Sequence, residues 1–339
     1  MASNRREFLK QAGVAGAATL AAGCSVTGTM HVASPAPRSG EGGPMPRQMI
    51  LVSMMGDGAP SLGVKTERGI LDVRRAAMQY SSSAPTAIDE VIRYGDGGLG
   101  ELVRMALAQG GPGVFHDEGA VRFCPCVTNP EKIVCVGLNY ARHARETNNP
   151  IPTMPILFNK FNNALNCHQG TVQVSKIPAT NFDYESELVI VMGRKAQNVS
   201  EADALSYVFG YCNGNDFTAR DLQSRSSQWM IGKTCDGFGL LGPYLVTADL
   251  VDQNNLKIVG TVNGEVRQSS NTNDMVFNCA QIISYTSKLM TLLPGDIIYT
   301  GTPEGVISGY PKERQVWLKP GDKLETTIGN LGTLRFSLT

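Results

Sequence analysis

Beyond residue 48 the chain is written in short apolar runs separated by clusters of Gly, Pro, Asn and Asp, the pattern of strands joined by tight turns. Met49-Ile50-Leu51-Val52 opens the ordered body. Residues 61–66 and 69–73 read as two arms of a hairpin turning at 66–69, and apolar residues at helical spacing mark 87–94 and 100–109 as helices. Residues 133–137 are a strand, 138–146 lead from it into a short helix, and 156–160 are a second strand. The stretch NFDYESELVIVMG, Asn181 to Gly193, sets acids at Asp183, Glu185 and Glu187 and then runs into Leu188, Val189, Ile190 and Val191. A short helix at 201–205 precedes a strand over 207–215 that ends on Asp216. Strands at 257–261 and 296–300, a hairpin at 262–266 and a helix at 279–291 complete the pattern. Strands this short and this regularly punctuated predict an α+β, β-rich body, closed or sandwich-like, and not a parallel βαβ sheet.

The first residues break that pattern. Asn4-Arg5-Arg6-Glu7-Phe8-Leu9-Lys10 leads into a small-residue apolar run at 12–23, too short to cross a bilayer comfortably. This resembles a twin-arginine export signal over residues 1–24, with the periplasm as destination. Leu20-Ala21-Ala22-Gly23-Cys24 has the form of a lipoprotein box with Ala where Leu is preferred, so lipid attachment at Cys24 and release after cleavage both stay open. Membrane contact is expected only through such an anchor. Residues 25–46, rich in Ser, Pro and Gly, read as a disordered linker. The rest of the chain divides into a small N-terminal α/β domain over 47–129 and a larger domain over 130–339.

Charge narrows the partners. Lys+Arg and Asp+Glu both total 30, so no basic excess points to nucleic acid or to an anionic membrane surface. The eight cysteines include no CxxC pair, which excludes a zinc ribbon, and most read as buried small residues with few structural disulfides. Gly95-Asp96-Gly97-Gly98-Leu99-Gly100 satisfies GxGxxG, yet helix and not strand precedes it, so it reads as an interhelical turn and not a dinucleotide fingerprint.

Five stretches offer chemistry, and each taken singly is open to a plain structural reading: a solvated strand edge, a surface His-Glu pair, a helix cap, a solvated loop lysine or a simple tight turn. Side chains two apart on a strand share a face, so Asp183, Glu185 and Glu187 crowd three like charges together. A hard divalent cation among them or a solvated edge strand would each explain this. His143 and Glu146, three apart, lie on one helical face, where a carboxylate fixes the imidazole tautomer and raises its basicity. Asp216 ends a strand and either meets a metal or caps a helix after Thr218, while Arg220 has the fork that grips carboxylates. Lys233 in a Gly-bounded loop and the turn at 300–306 supply a cation, hydroxyls and backbone N–H groups.

Taken in order, VGLNYARHARE, FDYESELVIVMG, NDFTARDLQ, QWMIGKTCDGFGLLGP, VNGEVRQ and TGTPEGV closely resemble the fumarylacetoacetate hydrolase family from about Lys132 to the C-terminus. The resemblance implies a mixed β-sandwich roll, usually dimeric, with Mg²⁺, Mn²⁺ or Ca²⁺ held by Glu185, Glu187 and Asp216, and Asp183 just behind them. It implies His143 and Glu146 as a water-activating dyad on a segment that closes as a lid in several members. Lys233 would add positive charge at the reacting centre, and Tyr140, Arg220, Gln223 and Thr302 would line the substrate site. Leu138 departs from the Arg that many acylpyruvate-cleaving members carry there. The implied activity is metal-dependent hydrolysis of a C–C bond in a β-diketo or 2-oxo acid. Decarboxylation, hydroxymuconate-type isomerisation and ureidoglycolate cleavage are the alternatives, with an inactive periplasmic binding or scaffold protein as the non-enzymatic one.

Overall fold

The computed structural model describes residues 42–339; the expected export signal, Cys24 and nearly all of the expected linker lie outside the described residues. Strands are numbered in chain order. A twelve-stranded mixed sheet runs β4 (Phe115–His116), β3 (Gly69–Asp72), β2 (Pro60–Thr66), β1 (Ile50–Met55), β14 (Leu245–Thr247), β11 (Val208–Asp216), β10 (Ser186–Met192), β17 (Ile297–Tyr299), β5 (Ile133–Gly137), β6 (Ile156–Lys160). β13 (Gly239–Leu241) branches from β11, and β7 (Leu165–Cys167) joins β13. A five-stranded sheet runs β16 (Glu265–Asn271), β15 (Lys257–Val262), β18 (Lys323–Ile328), β19 (Thr333–Leu338), β8 (Gly170–Val172), and β9 (Phe182–Asp183) pairs with β12 (Thr218–Ala219). Most pairings are antiparallel; β17 with β5, β13 with β7 and β19 with β8 are parallel. This is the β-rich α+β body that the run lengths predict.

Every residue of β10 is buried, and its two faces serve different cores. Leu188, Ile190 and Met192 pack with Ile282 and Ile283, whereas Val189 and Val191 pack with Val73, Val91 and Leu102. The first partners belong to α8 (Cys279–Leu289), beside α5 (Glu201–Ala204). The second belong to α1 (Val73–Gln79), α2 (Ile88–Tyr94) and α3 (Leu99–Gln109). A strand covered on both sides shows no polar face, so it reads as a continuous apolar run. The five-stranded sheet covers only one face and alternates: β15 and β18 bury every second residue. Beneath it Phe217, Phe238 and Phe336 pack edge to face, with 4.9 Å between the first two ring centroids.

Local chemistry sets the ends of these elements. Asn263 and Gly264, at φ of 53° and 84°, make the two-residue turn between β15 and β16 that needs two left-handed residues. Asn278 and Gln281 cap α8 reciprocally, each side-chain oxygen accepting the other's backbone N–H at 3.0 Å. Residue 73, expected in a strand, instead opens α1, because the Asp72 carboxylate caps the N–H of Arg75 at 3.1 Å.

The boundary expected at 129/130 does not interrupt the sheet. β1 pairs with β14 through Ile50↔Val246 and Leu51↔Leu245, so the N-terminal strands extend the sheet of the larger part and leave no free edge between them. Nor do residues 42–46 behave as a tether: Pro44 accepts the Asp96 N–H at 2.8 Å, Pro46 is buried and Met45 packs on the second core. All seven cysteines of the described residues are free thiols. Among those residues no helix is long and apolar enough to cross a membrane.

His168 gives the fold one acid-sensitive point. Its Nδ1 accepts the Arg335 N–H at 3.1 Å and its ring stands edge-on to Phe123. Burial, reinforced by the charge of Arg335, lowers its pKa from 6.5 to about 4. The folded state therefore prefers the neutral ring, and its contribution to stability is present above pH 6.5 and lost as the pH falls toward 4. Urea midpoints should drop across that interval, and drop less in His168→Phe; equal acid sensitivity in both proteins would mean that another group is responsible.

Candidate active site

The three-acid face expected of one strand is divided. β9 ends at Asp183 and β10 begins only at Ser186, so Asp183 leaves the row. Its carboxylate accepts the N–H groups of Ile307 at 2.8 Å and Ser308 at 3.0 Å and meets Arg220 Nε at 2.8 Å. Glu185 and Glu187 stay together. Glu187 sits opposite Gly214 on β11, and the Asp216 N–H donates to the Glu185 carbonyl at 2.9 Å, which sets Asp216 across from Glu185. Glu185, Glu187 and Asp216 each offer a carboxylate oxygen, all three residues are buried, and these atoms lie within 4.8 Å of one another. The cap reading of Asp216 fails, because its carboxylate meets lysines and helix α6 (Arg220–Gln223) begins after Ala219.

Cations compensate two of these acids and not the third. Lys233 Nζ, at the end of α7 (Met230–Lys233), lies 2.6 Å from Glu185 Oε2 and 2.9 Å from Asp216 Oδ2. Lys160 Nζ lies 2.5 Å from Asp216 Oδ1, and Arg220 Nη2 2.7 Å from Glu185 Oε1. Burial pushes the Glu185 carboxyl upward, but Lys233, Arg220 and His143 outweigh it and bring it down to about 2. Among the described residues Glu187 accepts a hydrogen bond only from the Gly301 N–H, at 2.8 Å. Burial, then repulsion from Asp216 and Glu185, raises its pKa well above the carboxylate range. Three buried carboxylates within reach of one point, one of them short of positive charge, fit a hard divalent cation.

Lys160 is the site residue that sequence reasoning passed over. It arrives on β6, fully buried, 56 positions before Asp216. The one signal was its place two residues beyond Phe158 in an apolar strand, the alternation that aims a side chain inward.

His143 and Glu146 meet as their spacing implies: on α4 (Ala141–Glu146), Nδ1 lies 2.8 Å from Oε1. Glu146 Oε2 also accepts the Gly305 N–H at 2.9 Å, so the pair is clamped to the 300–306 turn and Nε2 is left as the free ring nitrogen. A cleft of about 760 Å³ gathers His143, Glu185, Glu187, Lys233, Gln223 and Thr302. Leu138, Phe158 and Trp229 form its apolar side, Trp229 seated over Gly137, where a Cβ would stand 2.5 Å from the indole. Leu138 takes a φ of 54°, a left-handed conformation unusual for a non-glycine residue.

Other expected site residues sit differently. The Arg220 fork is spent on the protein's own groups, Asp183, Glu185 and, at 3.1 Å, Gln223 Oε1, which leaves it little to offer a substrate carboxylate. Burial would lower its pKa, but Glu185 and Asp183 raise it. Thr302 Oγ1 accepts from Gln268 at 2.8 Å and donates to the Ser186 carbonyl at 3.1 Å, bracing β10 at the cleft floor. Tyr140 does not line the cleft; its ring is fully buried in the first core. A residue one position off a helix start is turned inward by the packing of that helix, which spacing alone does not reveal.

Gly301 is a tight point of the frame. At φ 99° its added Cβ would stand 2.7 Å from Asn139 Cβ and 3.0 Å from the Val136 carbonyl. Gly301→Ala should cost about 2–3 kcal/mol of stability and weaken metal affinity by disturbing the N–H that holds Glu187. Denaturant titration with and without Mg²⁺ measures both.

The sequence profile described as fumarylacetoacetate (FAA) hydrolase C-terminal matches residues 132–339. A protein of Bos taurus named oxaloacetate tautomerase FAHD2A, mitochondrial, is 41% identical over 282 residues, which span 81% of this chain and 86% of that protein. The solved fumarylacetoacetate hydrolase of Exiguobacterium antarcticum is 31% identical, with a TM-score of 0.70 over 86% of this chain and 99% of its own. The fumarylpyruvate hydrolase of Pseudomonas aeruginosa, solved with Mn²⁺ and pyruvate, is 31% identical, with a TM-score of 0.56 over 66% of this chain and 93% of its own.

Proposed function

Because this chain belongs to the fumarylacetoacetate hydrolase family, we propose that it is a divalent-metal-dependent enzyme that moves a proton at the carbon next to the oxo group of a 2-oxo acid, interconverting its keto and enol forms. The observation that carries this reading is a cleft that brings a carboxylate-oriented imidazole together with Glu185 and Glu187, on which the buried Asp216 converges. Glu185, Glu187 and Asp216 would hold Mg²⁺, Mn²⁺ or Ca²⁺, which when bound supplies Lewis-acid stabilisation of negative charge developing on the 2-oxo oxygen.

The protein's own residues do the rest. Glu146 accepts a hydrogen bond from His143 Nδ1–H and holds the ring, so that Nε2 takes the proton from the substrate's C3 and hands it to the 2-oxo oxygen, with the reverse transfer running from enol to keto. Lys233 keeps Glu185 ionised in a site where burial would otherwise favour its protonated form, and together with Lys160 it aims the Asp216 carboxylate toward the same point. Arg220, fastened between Asp183 and Glu185, fixes the rotamer of Glu185 and acts as a positioning residue. The similarity to tautomerases named for oxaloacetate supports the tautomerase reading over its alternatives.

C–C bond hydrolysis of an acylpyruvate is the second reading. Its support is the cleft itself: about 760 Å³ exceeds what a four-carbon acid needs, and Leu138, Phe158 and Trp229 offer an acyl tail an apolar wall. There His143 would deprotonate water in place of carbon. The test is to follow loss of enol oxaloacetate by absorbance, and cleavage of acetylpyruvate in parallel, with Mg²⁺ and with EDTA. Metal-dependent acceleration of the first supports tautomerisation, of the second alone hydrolysis; acceleration of neither sinks both.

A further inference from the structure

We propose that Lys312 is a specificity-determining residue, its ammonium receiving the second carboxylate of a 2-oxo dicarboxylic acid bound in this cleft, an inference that rests on the reading of the site as one for 2-oxo acids. Unspent charge singles it out. Besides His143, three basic residues line the cleft: Arg220, Lys233 and Lys312. Arg220 is taken by Asp183 and Glu185, and Lys233 by Glu185 and Asp216. Lys312 is exposed and makes no ion pair among the described residues. A substrate with one carboxylate at the acid centre and another farther along the cleft finds its second counter-charge there.

The segment carrying Lys312 is built to hold that position. At its root the N–H groups of Ile307 and Ser308 donate to Asp183, the same buried carboxylate that fastens Arg220. Gln315 Nε2 closes the loop on the Tyr310 carbonyl at 2.8 Å, and the Arg314 N–H closes the turn Lys312–Arg314 on the Pro311 carbonyl at 2.8 Å. The Tyr310 hydroxyl donates to the Gly305 carbonyl at 3.2 Å, which ties the loop to the turn that also holds Glu146. Among the described residues, the rest of the wall has no unpaired cation to offer an anion. Leu138, Phe158 and Trp229 bring no charge, and Asp221, whose Oδ2 accepts the Thr180 N–H at 3.0 Å, repels one. An exposed ammonium gains little from a pair in open water and more across a cleft partly lined by apolar side chains.

Binding to the metal-loaded protein tests this apart from turnover. Calorimetric titration would compare 2-oxoglutarate with 2-oxopentanoate, two five-carbon 2-oxo acids that differ in the second carboxylate. Wild type should prefer the diacid by about fivefold or more, with the margin shrinking as salt is raised. Lys312→Gln should erase most of that preference and Lys312→Arg should restore it. A wild type without preference, or a Lys312→Gln variant that keeps it, overturns the proposal whatever the oxaloacetate assay shows. A Lys312-dependent preference in a protein that turns over neither oxaloacetate nor acetylpyruvate upholds this site and sinks only the catalytic reading.

Discussion

Glu187→Gln should abolish tight binding of a divalent cation and lower turnover by about 10³-fold, while the metal-free protein becomes no less stable than wild type. The two halves have one cause. Glu187 is the acid that Lys160, Lys233 and Arg220 do not reach, so without a cation it is a buried carboxylate repelled by Asp216 and Glu185. The amide removes that repulsion, and its oxygen still accepts the Gly301 N–H that now serves Glu187 at 2.8 Å. The same change would delete one of the three proposed ligands; Lewis-acid stabilisation is worth several kcal/mol, and each 1.36 kcal/mol is tenfold in rate. Thermal denaturation separates the two effects. Wild type should gain stability when Mg²⁺ is added, since a ligand that binds only the folded state shifts the equilibrium by mass action. Glu187→Gln should show no such gain. A variant that binds Mg²⁺ with wild-type affinity would mean that the three acids do not share an ion.

His143→Ala should lower kcat by about 10²- to 10⁴-fold, the range of a positioned general base, and leave metal affinity near wild type. The asymmetry comes from geometry: the imidazole is bonded to Glu146 and touches none of the three acids through a hydrogen bond. Glu146→Gln keeps a partner for Nδ1 but loses the carboxylate charge, and should fall between wild type and His143→Ala. Parallel measurement of kcat and of calorimetric Mg²⁺ affinity decides the matter. Should His143→Ala lose activity and metal affinity together, the ring is a structural prop of the metal centre and not its base.

Much of the fold was legible because it depends on neighbours in the chain. The hairpins at 66–69 and 262–266, the helices at 88–94, 99–109 and 279–289 and the strands at 133–137 and 156–160 each announce themselves by periodicity and turn residues. The interhelical reading of Gly95 to Gly100 holds, with α2 before it and α3 after it. Across the boundary expected at 129/130, β1 finds its partner in β14, almost two hundred residues away, and no local signal encodes that pairing. Asp183 was grouped with Glu185 and Glu187 on strand periodicity, which holds only while the strand is unbroken; the ladder stops between Asp183 and Ser186.

The sequence alone therefore determined the groups set by local spacing: the His143–Glu146 pair one helical turn apart, Glu187 on a strand with Glu185 two residues before it, and Asp216 at a strand end. Their relative placement is dictated by backbone geometry, the same in any protein that folds those segments as helix and strand. Tertiary structure decided which charges pair. Lys160 reaches Asp216 from β6, Lys233 bridges Glu185 and Asp216, Arg220 turns to Asp183, and Glu187 is left without a cation. Those choices are set by distance between groups remote in the chain and by the cost of taking each charge out of water, neither of which is written in residue order.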